Sequence, residues 1–256
     1  MNNHGDWIIP DWPAPECVRA CTTTRHGGVS LAPYDGFNLG DHVGDIVQDV
    51  AVNRAQLKRR LNLPAAPIWL SQVHDTQVVN AAQVMIGCTA DGSYTSQAGV
   101  VCAVLTADCL PLLLCNREGS KVAAVHAGWR GLANGVIEAT LAALESPPES
   151  LMVWLGPAIG PQAFEVGAEV REVFMAHDPQ AADAFKPAVQ GCTGAAAPSG
   201  RWLADIYQLA RLRLARQGVT AVYGGHECTF TDPQRFYSFR RDSITGRMAS
   251  LIWLVK

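Results

Sequence analysis

The chain has 256 residues, 48% hydrophobic and 17% charged, a balance that builds a packed core and excludes extended disorder. Its formal net charge of −3 gives no general attraction to nucleic acid or an anionic membrane, so any polyanion site must be local. Residues 1–16 lack a basic start followed by an apolar run, and no window reaches membrane-span length, so a cytoplasmic protein with its eight cysteines reduced is expected.

Residues 17–24, CVRACTTT, read as a strand feeding the turn RHGGVS. After the loop PYDGFNLGDHVGD, residues 46–64 place Val47, Val50, Arg54, Leu57 and Leu61 on one helical face, with Asp45 as N-cap and Pro64 as terminator. IWLSQVHDTQVV and GVVCAVL then read as strands. LPLLLC, the turn NREG and KVAAVHAGW form a hairpin. From Gly131, the residues Leu132, Val136, Ile137, Thr140, Leu141 and Leu144 share a helical face that SPPES ends. LMVWLG is a strand, GAEVREVFMAH and ADIYQLARLRLARQG are helices, and VTAVYGG and MASLIWLV are closing strands. Residues 187–201 are small and rich in Gly and Pro, and are expected to form a mobile loop. Hairpins and crossovers together predict an α/β (α+β) chain, a mixed sheet covered by helices, folded as a single unit over residues 1–256.

Asp108 and Cys109 interrupt the apolar run LTADCLPLLLC between two strands, where Pro111 is expected to support a bend. The hairpin brings Cys109 near His126, which ends its strand beside a helix start. His74 sits in an otherwise apolar strand. Two imidazoles and a thiolate are favoured zinc ligands, and a three-ligand site keeps one position open. The spacing forms no local motif such as CxxC, so each residue also has a bland reading as a core or hydrogen-bonded side chain. Cys102, Cys115, Cys17 and Cys21 read as structural, as does the HEC of residues 226–228. Arg25 beside a glycine turn, Arg130 at a helix mouth, and Arg240 with Arg241 are candidate anion contacts, against the alternative of solvated surface arginines.

The stretches TTRHGGVS, FNLGDHVGD, WLSQVHDTQVV, LTADCLPLLL, VAAVHAGWRGLANGVIEATL, WLGPAIGPQAFEVGAEV and FYSFRRDSITGRMASLIWL run in order over nearly the whole chain. They resemble the YfiH-like, or laccase-domain, proteins, described as multicopper polyphenol oxidases and as purine nucleoside phosphorylases. One departure is ADGSYTS, where the family more often carries an apolar residue. The resemblance implies a layered sandwich like that of the cytotoxic necrotising factor deamidases, and zinc, with copper as the alternative, on His74, Cys109 and His126. It implies phosphorolysis of adenosine, inosine, guanosine and methylthioadenosine, with adenosine deamination.

On that reading Cys109, His126, Asp108 and Asp91 are catalytic candidates, and Arg25, Asn38, Gln72, Arg130 and Arg240 are substrate-binding candidates. The partners are a purine nucleoside and phosphate, with no nucleic acid and no membrane. The zinc-deaminase signature HxE with PCxxC is absent, so deamination would need another arrangement. A copper-dependent phenol oxidase is disfavoured by seven histidines without an HxH pair. A cysteine hydrolase, with Cys109 as nucleophile, His126 as base and an amide substrate such as a peptidoglycan precursor, is the third reading. A non-enzymatic zinc module is the fourth, and an open three-ligand site argues against it.

Overall fold

The computed structural model describes residues 7–190, 195–196 and 200–255. Two sheets stack face to face. The larger has six strands in the order Ala221–Gly224, Leu151–Leu155, Leu110–Asn116, Val122–Ala127, Gly92–Thr95 and Val78–Asn80, antiparallel inside and parallel at both outer pairs. The smaller is antiparallel, in the order Trp7–Ile8, Val18–Thr23, Met248–Leu254 and Val101–Thr106.

The alternation of side chains along a strand builds the layers. Leu112 and Leu114 face a helical layer made by Val136–Leu144, Ala168–His177 and Ile206–Arg216, and pack in one core with Ile137, Phe174 and Leu209. Leu113 and Cys115 face the other way and meet Cys102, Val104 and Ile252 of the smaller sheet. The outer face of the smaller sheet packs Val101, Ala103 and Leu251 against Phe37, Leu39 and Leu57, the last from the helix Val47–Arg60. The result is the expected layered sandwich of mixed sheets covered by helices. Fully burying one such leucine stabilises by about 1.5–3 kcal/mol.

Several local expectations are corrected. The helix of residues 47–60 turns Val50, Asn53 and Leu57 inward, and Val47 is exposed. Buried Asn53 dictates this rotation, because its amide satisfies the backbone N–H of Val29 and the carbonyls of Gly36 and Asn38. Asp45 does not cap the helix; its carboxylate accepts from Ser30 Oγ and Asn38 Nδ2 instead. The helix predicted from Gly131 is two, Trp129–Asn134 and Val136–Leu144, broken at Gly135 with φ +102. Pro111 makes no bend: it lies within its strand opposite His126. ADGSYTS supplies the strand Gly92–Thr95. The ends of the loop expected at 187–201 are ordered as strands, Phe185–Pro187 pairing with Arg201–Ala204, and residues 191–194 and 197–199 lie outside the described residues.

Two stretches of chain cross from the smaller sheet to the larger. Residues 107–109 join Val101–Thr106 to Leu110–Asn116, and the segment after Ile68, which bridges Cys102, leads to Val78–Asn80. Each crossing carries one residue of the site described next.

Candidate metal centre

His74, expected on a strand, lies in a tight turn with φ +63. The cause is Asp91, 17 positions downstream and wholly buried, whose carboxylate accepts the backbone N–H groups of Val73 (3.2 Å), His74 (2.9 Å) and Asp75 (2.8 Å). Three donors converging on one carboxylate bend the segment out of extended geometry and hold the exposed imidazole in place. The same carboxylate accepts from His126 Nδ1 at 2.8 Å. Nδ1 is thereby the protonated nitrogen and Nε2 is left for a ligand.

Cys109 follows Asp108, which takes φ +86 at the second crossing. Left-handed backbone at a non-glycine residue is uncommon, and both crossings adopt it at the site. Asp108 is anchored on both oxygens: Oδ1 accepts from Thr229 Oγ1 and Oδ2 from the backbone N–H of Arg240, each at 2.6 Å.

The ligand atoms of His74, Cys109 and His126 lie within 4.8 Å of one another, with Cys109 Sγ 3.7 Å from His74 Nε2 and the two imidazoles edge to face at 4.7 Å. Among the described residues this is the one gathering of three such side chains. Gly128 backs it, since a Cβ there would lie 2.8 Å from His74 Cδ2 and 3.2 Å from Cys109 Sγ. Two imidazoles, a thiol and a carboxylate behind one imidazole make a donor set that fits a zinc ion once His126 Nε2 and Cys109 Sγ give up their protons to it.

The electrostatics agree with an activated thiol. Burial pushes the Cys109 pKa up, but His126 and the hydrogen bonds from both imidazoles more than offset this and bring it down to about 6. Burial lowers His126, yet the Cys109 charge and the bond to Asp91 raise it to about 9.

Two cavities meet at the cluster. One, of about 250 Å³, is walled by Trp129, Ile159, Phe164, Ile206 and Phe239 and rimmed by Arg130 and Arg240. The other, of about 290 Å³, is lined by His42, Gln72, Thr106, His126 and Arg247, with Phe239 again on its wall.

The expected site residues separate accordingly. Arg130 and Arg240 reach the cleft, Arg130 lying on Trp129 and Arg240 donating to the Glu165 carbonyl. Gln72 lines it, with its amide bonded to both backbone groups of Leu105. Arg25 is held by Asp35, the Pro233 carbonyl and the Tyr237 ring, and lines neither cavity. Asn38 is wholly buried, bonded to Gly40, Asp45 and the backbone N–H of Arg247, and lines neither cavity. Asp91 is likewise wholly buried, bonded to the His74 backbone and the His126 ring, and lines neither cavity. Cys228 accepts from Gly160 N–H and Glu227 pairs with Arg235, which ties two of the three HEC residues into the fold. Sequence alone does not single out Arg247, His42 or Phe239. Arg247 carries one signal, a lone cation immediately before an apolar strand.

The family described as multi-copper polyphenol oxidoreductase laccase matches residues 19–255. A purine nucleoside phosphorylase of Pseudomonas aeruginosa is 56% identical over 248 residues, covering 97% of this chain and 98% of that one. The Escherichia coli purine nucleoside phosphorylase YfiH is 53% identical over 249 residues, with 97% and 98% covered. Among solved structures, a Neisseria meningitidis protein of the DUF152 family aligns with TM-score 0.90 at 50% identity over 98% of this chain and all (100%) of that one. YlmD from Geobacillus stearothermophilus gives 0.86 at 30% identity, with 100% and 98% covered. Sequence matches end to end and a shared backbone lead to one assignment: the chain belongs to the multi-copper polyphenol oxidoreductase laccase family, alongside the YfiH proteins.

Proposed function

We propose that the chain is a cytoplasmic, zinc-dependent purine nucleoside phosphorylase acting on adenosine, inosine, guanosine and methylthioadenosine, and that adenosine deamination uses the same site. The observation that carries this reading is the open His74–Cys109–His126 cluster at the meeting point of an aromatic cavity and a polar one. The names of the relatives supply the reaction class. In phosphorolysis a phosphate oxygen bonds to the anomeric carbon of ribose, the glycosidic bond breaks, and the departing purine takes a proton. Trp129, Phe164 and Phe239 offer apolar walls for a purine, excluding water from the bond that breaks. His74 and His126 are held by Asp91, so the cluster needs little reorganisation. His74, Cys109 and His126 would hold the zinc, which would supply Lewis-acid polarisation of a bound oxygen.

The test is metal analysis of protein purified without added metal, together with phosphate-dependent release of hypoxanthine from inosine, for wild type and Cys109→Ala. The wild type is expected to hold close to one zinc per chain and release base only with phosphate. The variant is expected to lose metal and at least about a hundredfold in turnover. Absence of both zinc and base release in the wild type would overturn the reading, and equal turnover in the variant would remove Cys109 from the mechanism.

A second reading has one observation in its favour, the thiol of Cys109 lowered beside a raised His126, the polarity a cysteine hydrolase needs. Amide hydrolysis by metal-stripped protein, lost in Cys109→Ala, would select it.

A further inference from the structure

Arg247 is the half-buried cation of the cleft that has no carboxylate in ion-pair contact, with Cys109 and Asp108 attracting it only at longer range. Its backbone is fixed by Asn38, whose Oδ1 accepts from Arg247 N–H at 2.9 Å, and by Leu39, whose N–H donates to the Arg247 carbonyl at 3.2 Å. Its stem packs across Gly40, where a Cβ would come within 2.8 Å of Cγ. Nη1 donates to the carbonyls of Thr245 (2.9 Å) and Gly246 (3.0 Å). Among the described residues Nε and Nη2 have no hydrogen-bond partner, and no carboxylate pairs with the group. Four other half-buried arginines have a carboxylate, Arg25 with Asp35, Arg54 with Asp41, Arg213 with Glu138 and Arg241 with Asp242, while Arg211 and Arg171, which have none among the described residues, line neither cavity at the cluster.

A guanidinium taken partly out of water costs free energy that an opposite charge recovers. Here the group lines the polar cavity that His126 and Cys109 also line, with the Phe239 ring 5.9 Å from its carbon centre. Burial holds its pKa below the ordinary arginine value, against the weaker attraction of Cys109 and Asp108. His42 lines the same cavity; burial and the charge of Arg247 lower its pKa against the pull of Asp41, leaving a neutral imidazole able to hydrogen-bond an anion. Arg130 and Arg240 are less suited to hold an anion, because both are exposed and water already compensates their charge.

We infer that Arg247 anchors an oxyanion subsite in the polar cavity, receiving inorganic phosphate on its Nε and Nη2 edge with His42 beside it, while the purine occupies the aromatic cavity across Phe239. A guanidinium edge presents two parallel donors that match two oxygens of a tetrahedral anion. The identity of the second substrate rests on the phosphorylase reading; the affinity for an oxyanion does not.

The test uses zinc-loaded full-length wild type, Arg247→Met and Arg247→Lys. Binding of inorganic phosphate, and separately of a nucleoside 5′-monophosphate, is measured by calorimetry without turnover, and KM for phosphate and for inosine by base release. In Arg247→Met the phosphate Kd and KM are expected to rise at least about tenfold, the loss of one charge-assisted contact, while inosine KM stays within about twofold and zinc content is unchanged. Arg247→Lys retains the charge but not the fork and is expected to fall between, which carries the same test if the methionine variant does not fold. Phosphate Kd and KM unchanged in the folded variants would overturn the inference. So would a loss confined to the nucleoside monophosphate, which would make the bound group an ester phosphate. Wild type that binds phosphate through Arg247 yet releases no base would leave the subsite standing and the phosphorylase reading overturned.

Discussion

Asp91 joins the two imidazoles of the site through a single carboxylate, gripping His126 by its ring and His74 by its backbone. Replacing it with asparagine puts an amide donor where three N–H groups and an imidazole N–H already point. For Asp91→Asn we expect zinc affinity, measured by competition with a chelating dye, to fall about 10–100-fold, the usual consequence of disturbing a residue behind a ligand. Unchanged affinity would show that the turn at His74 is set by something else. This residue also marks where sequence stops being legible. A hairpin with an obvious turn pairs Cys109 with His126, and the register agrees, with Leu110 opposite Ala127 and Pro111 opposite His126. His74 reads as part of an alternating strand because the force that bends it is a side chain 17 positions away, and period-two patterning carries no trace of such a bond.

At the scale of elements, patterning locates the strands well because their faces are apolar on one or both sides, and it rotates a helix wrongly where a polar residue is the buried one. The helix Val47–Arg60 is anchored by Asn53, whose Nδ2 also donates to Ser30 Oγ at 2.9 Å. Asn53→Ala would leave the Val29 N–H and the Gly36 and Asn38 carbonyls short of partners at the segment that holds Arg247. We expect a loss of about 2–4 kcal/mol in denaturant unfolding, from several unsatisfied buried groups at once. A loss below about 1 kcal/mol would mean that these groups find water or each other. An apolar scan scores asparagine as solvent-facing, so only the observed bonds reveal that this one is core.

At the scale of the molecule, the layered arrangement is legible as a class, since hairpins and crossovers alternate along the chain, whereas the division of the strands between two sheets is not. Strands of both sheets read as similar apolar runs, and which partner each takes depends on contacts distant in sequence. Among the described residues the cysteines carry free thiols and no helix is long and apolar enough to cross a membrane. The crossings at His74 and Cys109 give this division a temporal consequence. An ion shared by those two residues and His126 would lash the sheets together at one end, so it should act most on the step in which the layers part. Chelator-treated protein is therefore expected to unfold in guanidinium at least about tenfold faster than zinc-loaded protein, with refolding changed less, as followed by tryptophan fluorescence. Equal unfolding rates would mean that the sheets separate after the site has already opened. If the site holds a metal, its occupancy would govern how long a folded molecule persists before a protease finds it open, so a shortage of that metal would shorten the protein's lifetime.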